Sequence, residues 1–236
     1  MRLLVINPNT SPEVSTVIDA LVKEETGGDV AVQTVTAQFG FHYLASRSAV
    51  AIAGHAVLAT AAEALANGPA PDAILLACFG DPALEALQEM TGVPAIGFAE
   101  AGLKAAAAQD GPFLVATRGE VWCEMLRDLV RKLDLGSHVC GIHAIAEDVT
   151  DTAVIAAELA TQAKAAGAKR VVVGGAGLIP SLPAISSLCP FPVLDPHRAA
   201  IQKALRLARQ SRTAIGSRRP EKTKGLSDPL YRVFSR

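Results

Sequence analysis

Apolar residues in this chain gather into short runs that alternate with longer stretches in which they recur at helical spacing. Residues 3–6, 73–77, 95–98, 113–116, 139–145, 171–173 and 193–194 form β-rich apolar runs and predict buried strands. Between them, residues 12–25, 48–66, 120–133, 151–166 and 198–208 are rich in alanine, apolar on one side, and predict helices. This rhythm predicts an α/β protein built on parallel sheet.

One half of the chain echoes the other. The segment 73–82 and the Pro-containing strand after it at Val93-Pro94-Ala95-Ile96 match 170–178 and Phe191-Pro192-Val193-Leu194. Likewise Leu3-Leu4-Val5-Ile6-Asn7 and Phe113-Leu114-Val115-Ala116-Thr117 are each an apolar strand that breaks into a polar turn before a helix. The pattern predicts two pseudo-symmetric lobes, each a short parallel sheet flanked by helices, with an active-site cleft between them. The first lobe is expected over 1–100 with 206–215, and the second over 101–205. From 216 to 236 the chain turns polar and basic and reads as a loose tail, whose Tyr231, Val233 and Phe234 are able to dock on a lobe or on a neighbouring subunit.

Composition narrows the function. With 236 residues, half of them apolar, and a net charge of -1, nothing points to nucleic acid. The first apolar stretch is too short for a signal-peptide core or a membrane span, so a cytoplasmic protein with no membrane partner is expected. Cys78, Cys123, Cys140 and Cys189 show no metal-ligand or redox spacing, which points to neither zinc nor a disulfide framework. Gly174-Gly175-Ala176-Gly177 matches neither the dinucleotide fingerprint nor a P-loop, so no cofactor is expected.

The candidate chemistry lies at strand ends. In open parallel sheets ligands bind beyond the carboxyl ends of the strands, which brings the turns at 7–10, 78–81, 117–118 and 174–177 to one crevice. Cys78 ends a strand, and Asp81-Pro82 reads as the cap and first residue of a helix, a setting that favours thiolate. Phe79 and Gly80 supply backbone N–H groups beside it. Asn9 and Thr10 offer amide and hydroxyl donors to a carboxylate or imide oxygen, and Thr117 and Arg118 occupy the matching turn of the second lobe. Cys123, Cys140 and Cys189 read as packing residues, and His197 is the histidine nearest the inferred cleft. The aromatic segment 38–43 is a candidate roof for a pocket.

These residues carry a resemblance. Ile6-Asn7-Pro8-Asn9-Thr10-Ser11, Ala77-Cys78-Phe79-Gly80-Asp81-Pro82 and Ile96-Gly97-Phe98-Ala99-Glu100-Ala101 closely resemble the hydantoin racemase branch of the aspartate/glutamate racemase superfamily, over about residues 2–207. The resemblance implies cofactor-free proton transfer at a carbon next to a carboxylate or imide of a small amino-acid, hydantoin or dicarboxylate derivative, and a homo-oligomer. It also implies two cysteines facing each other across the substrate. Cys78 matches the first, but the second position is Gly175, with Ala176 next to it, on the wall of the substrate site. A single-cysteine racemase or isomerase is therefore expected, with Cys189, His197 or a water as candidates for the second face. Arylmalonate decarboxylases, relatives with one cysteine, carry theirs on the other lobe; a decarboxylase of mirrored handedness and a noncatalytic ligand-binding relative are the alternatives.

Overall fold

The computed structural model describes residues 1–210 and 223–234. The first half runs β1 (Arg2–Asn7), α1 (Pro12–Thr26), β2 (Ala31–Thr36), α2 (Arg47–Asn67), β3 (Ala73–Leu76), α3 (Leu84–Thr91), β4 (Ala95–Gly97) and α4 (Phe98–Ala107). The second repeats it: β5 (Phe113–Arg118), α5 (Glu120–Lys132), β6 (Val139–Ile145), α6 (Thr152–Ala165), β7 (Arg170–Val173), a 3-10 helix (Ala176–Ser181) leading into α7 (Leu182–Leu188), β8 (Val193–Leu194) and α8 (Pro196–Ala208). Two four-stranded sheets result, ordered β2-β1-β3-β4 and β6-β5-β7-β8, with every pairing parallel. Identical strand order in the two halves establishes the pseudo-symmetric lobes.

The central strands are apolar through their middles because helices cover both faces of each sheet. Leu3 to Ile6, Ile74 to Leu76, Phe113 to Ala116 and Val171 to Val173 are all buried. Helix starts obey local chemistry. The Ser11 hydroxyl accepts from the Val14 amide at the head of α1, and Asp151 accepts from Ala153 and Val154 at the head of α6. Helix α2 is long and apolar enough to cross a membrane by length and composition, yet Ala49, Ala53, Val57 and Ala61 bury one side of it, and it packs on β1, β2 and α3 as a core helix.

The lobes share one core. Helix α8 comes after the second sheet in sequence but packs on β1, β3 and β4 of the first, and α4 comes after the first sheet yet touches β7 of the second. These two helices cross at Gly102, where a Cβ would stand 2.1 Å from that of Pro196. Val5, Leu75, Phe98, Phe113 and Val172 consequently belong to a single apolar cluster that fixes how the lobes face each other.

Some elements depart from the expectations. β2 has no counterpart among the expected strands, because a half-buried edge strand carrying Val32 and Val35 among polar residues presents no apolar run. Phe98 opens α4 rather than ending a strand. The helix after Cys78 begins at Leu84, not Pro82, with Ala83 left-handed at its cap. The tail expectation falls in part on residues 216–222 and 235–236, outside the described residues, as do residues 211–215 of the expected first lobe. Near the end of the chain stands α9 (Asp228–Phe234), which lays Leu230, Val233 and Phe234 on the first lobe at α2 and α3, while Tyr231 stays exposed.

Candidate active site

The carboxyl ends of β1, β3, β5 and β7 open onto a cavity of about 280 Å³ between the lobes. Its walls come from both. Asn9, Tyr43, Cys78 and Phe79 belong to the first lobe, and Thr117, Arg118, Trp122, Glu147, Gly175 and Ala176 to the second. This volume is at the small end for ligand sites and suits a compact metabolite.

Cys78 is 9 % exposed, its amide bonded to Leu76 O at 3.0 Å. The turn after it is held from three directions. The Phe79 ring crosses to the second lobe, where a Cβ on Gly174 would stand 2.3 Å from it. Trp122 packs on Gly80, whose own Cβ would fall 2.3 Å from the indole ring, and the Trp122 Nε1 donates to Leu44 O at 2.6 Å. Trp122 thus joins the Cys78 turn to the loop that roofs the cavity. Asp81, at φ 48°, sends its carboxyl to the head of α4, accepting from Ala99 N at 3.0 Å and Glu100 N at 2.6 Å. It caps α4 instead of the next helix in sequence, and Gly97 leaves room for it, since a Cβ there would meet the carboxyl at 2.2 Å.

The electrostatics correct the expectation of a resting thiolate. Burial pushes the Cys78 thiol up from its ordinary range, and the neighbouring Asp81 carboxylate adds to the rise against a smaller opposing hydrogen bond from the Asp81 backbone. A helix start lowers a cysteine's proton affinity, but burial in apolar surroundings raises it, and here the burial dominates. Burial likewise pushes Asp81 up to about 7, outweighing the two amides that favour its anion.

Two buried polar groups in the cavity lack protein partners among the described residues. The Asn9 Oδ1 accepts from Asn7 Nδ2 and from Ser11 N, both at 2.9 Å, so the side chain is fixed, while its Nδ2 donates to no acceptor among the described residues. The Thr117 hydroxyl, 4 % exposed, is also unpaired among the described residues. An unmet buried hydrogen-bonding group costs about 1–3 kcal/mol, which a ligand oxygen offsets. Gly175 adopts φ 126°, and a Cβ there would meet Thr117 Oγ1 at 3.6 Å and Leu178 Cδ1 at 3.9 Å.

Other expected residues stand elsewhere or differently. Thr10 is off the cavity wall, its amide bonded to Phe41 O at 3.0 Å, and Gly80 lies behind the wall under Trp122. Arg118 is on the wall, but its Nη1 donates to the carbonyls of Ala146, Glu147 and Val149 at 2.9, 3.3 and 2.9 Å, so it clamps the loop after β6. Neither of the protein candidates for the second face lines the cavity. Cys189 caps α7 at the far end of its lobe. His197 is fully buried, its Nδ1 2.8 Å from Asp195 Oδ1 and its Nε2 accepting from Gly175 N at 3.4 Å. Of the roof segment Tyr43 lines the cavity, joined by Leu44 just after it, while Phe39 and Phe41 are off the wall and Phe39 packs edge-on against His55. Sequence reasoning missed Trp122 and Glu147 as wall residues; Glu147 lies just past the carboxyl end of β6, where the same topological rule applies.

The model of one protein family, described as Asp/Glu/Hydantoin racemase, matches residues 3–204. The chain belongs to the Asp/Glu/hydantoin racemase family. Its enzymatic class is accordingly that of an isomerase of the racemase type. It is 28 % identical over 214 residues to the hydantoin racemase of Paenarthrobacter aurescens, spanning 86 % of this chain and 89 % of that one. The fold matches that of the allantoin racemase from Klebsiella pneumoniae, with a TM-score of 0.81, 24 % identity, and coverage of 95 % of this chain and 97 % of that one. The allantoin racemase of Pseudomonas fluorescens gives a TM-score of 0.83 at 22 % identity, covering 95 % of this chain and 100 % of that one.

Proposed function

We propose that this racemase-family enzyme moves a proton at a carbon next to a carboxylate or imide carbonyl of a small amino-acid, hydantoin or dicarboxylate derivative, with Cys78 as its one sulfur acid or base. The observation that carries this reading is the meeting, in one small cavity, of a thiol and fixed hydrogen-bond donors without partners among the described residues. Loss of the α proton puts negative charge on the carbonyl oxygen, and the donors suited to it are Asn9 Nδ2, the Thr117 hydroxyl and the Phe79 amide. Removing one such donor from a preorganised site lowers turnover by about 10²–10³. Because donors and thiol are fixed by Trp122, Asp81 and the interlobe core, little reorganisation accompanies charge formation.

The test is solvent exchange. Enantiomers of 5-methylhydantoin, allantoin, aspartate and glutamate, incubated with enzyme in deuterium oxide, are expected to gain deuterium at the α carbon for at least one member of the set. No exchange with any of them overturns the reading. Carbon dioxide release from arylmalonates without exchange on the other compounds replaces it with decarboxylation.

A further inference from the structure

Gly175 lines the second-lobe side of the cavity without a side chain, so proton transfer on that side needs another group. Four titratable side chains line the cavity: Tyr43 and Cys78 from the first lobe, Arg118 and Glu147 from the second. Arg118 has a guanidinium, which does not serve as a proton-abstracting base, and it is committed to the β6–α6 loop. Tyr43 shares the lobe of Cys78, and burial holds its phenol above the ordinary range, so it stays protonated. Glu147 remains. We propose that Glu147 is the second proton-transfer residue, working on the substrate face opposite Cys78.

The local structure is arranged for this. Three hydrogen bonds from Arg118 Nη1 hold the carbonyls of Ala146, Glu147 and Val149 and pin the loop at the cavity mouth. Gly119, at φ 80°, clears space beside it: a Cβ on Gly119 would lie 3.1 Å from Glu147 Oε1. The carboxylate makes no side-chain hydrogen bond or ion pair among the described residues, and its charge is felt by Tyr43 on the facing wall. The state of Cys78 supplies the chemical need. A thiol that burial keeps protonated donates readily but abstracts poorly, so a cycle starting from it requires a base elsewhere in the cavity.

The step balances without a further reactant. A Glu147 oxygen takes the α hydrogen as a proton, and the C–H electron pair passes into the enolate. The enolate carbon then takes the Cys78 S–H proton on its other face, leaving a thiolate and a neutral Glu147. Solvent carries one proton from the carboxyl back to the sulfur, or the reverse reaction uses the pair as it stands.

This inference rests on the proposed function, and the experiment separates their failures. Each enantiomer of whichever compound exchanges with the wild type is incubated in deuterium oxide with Cys78→Ala, Glu147→Gln and the double variant, with circular dichroism confirming fold. Glu147→Gln is expected to lower inversion at least ~100-fold. Cys78→Ala is expected to lose inversion but still exchange one enantiomer with retention, and the double variant to lose that exchange. Inversion by Glu147→Gln within about threefold of wild type, well short of the general-base effect, overturns the proposal. So does residual exchange that is absent in Cys78→Ala or survives in the double variant. If the wild type itself exchanges nothing, the proposed function has failed instead.

Discussion

Gly80→Ala adds one methyl group where the site is held together. The new carbon would lie 2.3 Å from Trp122 Cζ3 and 2.7 Å from Cη2, against an ordinary carbon contact of about 3.5–4.0 Å, so the indole must retreat by roughly 1 Å. Trp122 has nowhere free to go, being 8 % exposed and packed with Leu44, Ala49 and Cys78. Overpacking of this kind costs about 1–3 kcal/mol. Retreat also stretches the 2.6 Å bond from Trp122 Nε1 to Leu44 O, a loss of about 1 kcal/mol. The sum of about 2–4 kcal/mol corresponds to a fall of roughly 5–15 °C in Tm for a chain of this size. Differential scanning calorimetry measures it, with Gly177→Ala as control, since a Cβ there meets nothing within 4 Å. Turnover should fall in Gly80→Ala even well below its Tm, because the roof loop and the Cys78 turn share the displaced indole. A wild-type Tm with wild-type turnover would show that Trp122 does not hold the turn in this way.

Asp81 gives a pH dependence. Its carboxyl is pushed up to about 7 from the ordinary 3.8, so between about pH 4 and 7 the folded chain holds a proton that the unfolded chain has released. Its contribution to stability is therefore full below about pH 4, declines as pH rises, and levels off above about 7, a span on the order of 4 kcal/mol. In Asp81→Asn, denaturant melts across this range should lose that slope; an unchanged slope assigns it to another group. Phe79→Ala removes the ring that bridges to Gly174 and should destabilise by about 3–5 kcal/mol in urea titrations, with a wild-type midpoint counting against the interlobe contact. Gly175→Cys finds ordinary space but a backbone at φ 126°, so it should cost about 1–3 kcal/mol in strain while restoring inversion to Glu147→Gln, as chiral chromatography would show.

The alternation of elements was legible because the central strands are buried on both faces and appear as unbroken apolar runs. Asn9, Cys78, Thr117 and Gly175 were legible for a topological reason: each stands at or just beyond the carboxyl end of a strand, and parallel sheets gather those ends. The features hidden from the sequence depend on partners distant along the chain. Asp81 looked like the cap of the next helix, but its amide donors lie at Ala99 and Glu100, on a helix that reaches it only after the sheet forms. The protonation of Cys78 depends on burial by Trp122 and the second lobe, which no local pattern records. Glu147 is an exposed acidic residue among other polar ones, and only the Arg118 clamp reveals where it is held.

The proposed function gives the handling of the α proton to one sulfur atom in the cavity between the lobes. Inversion of a single enantiomer, monitored by circular dichroism in the wild type and in a Cys78→Ala variant of matched stability, puts that role to trial. Inversion is expected to disappear in the variant while the substrate still binds. If Cys78→Ala inverts the substrate at the wild-type rate, the sulfur has no part in the chemistry.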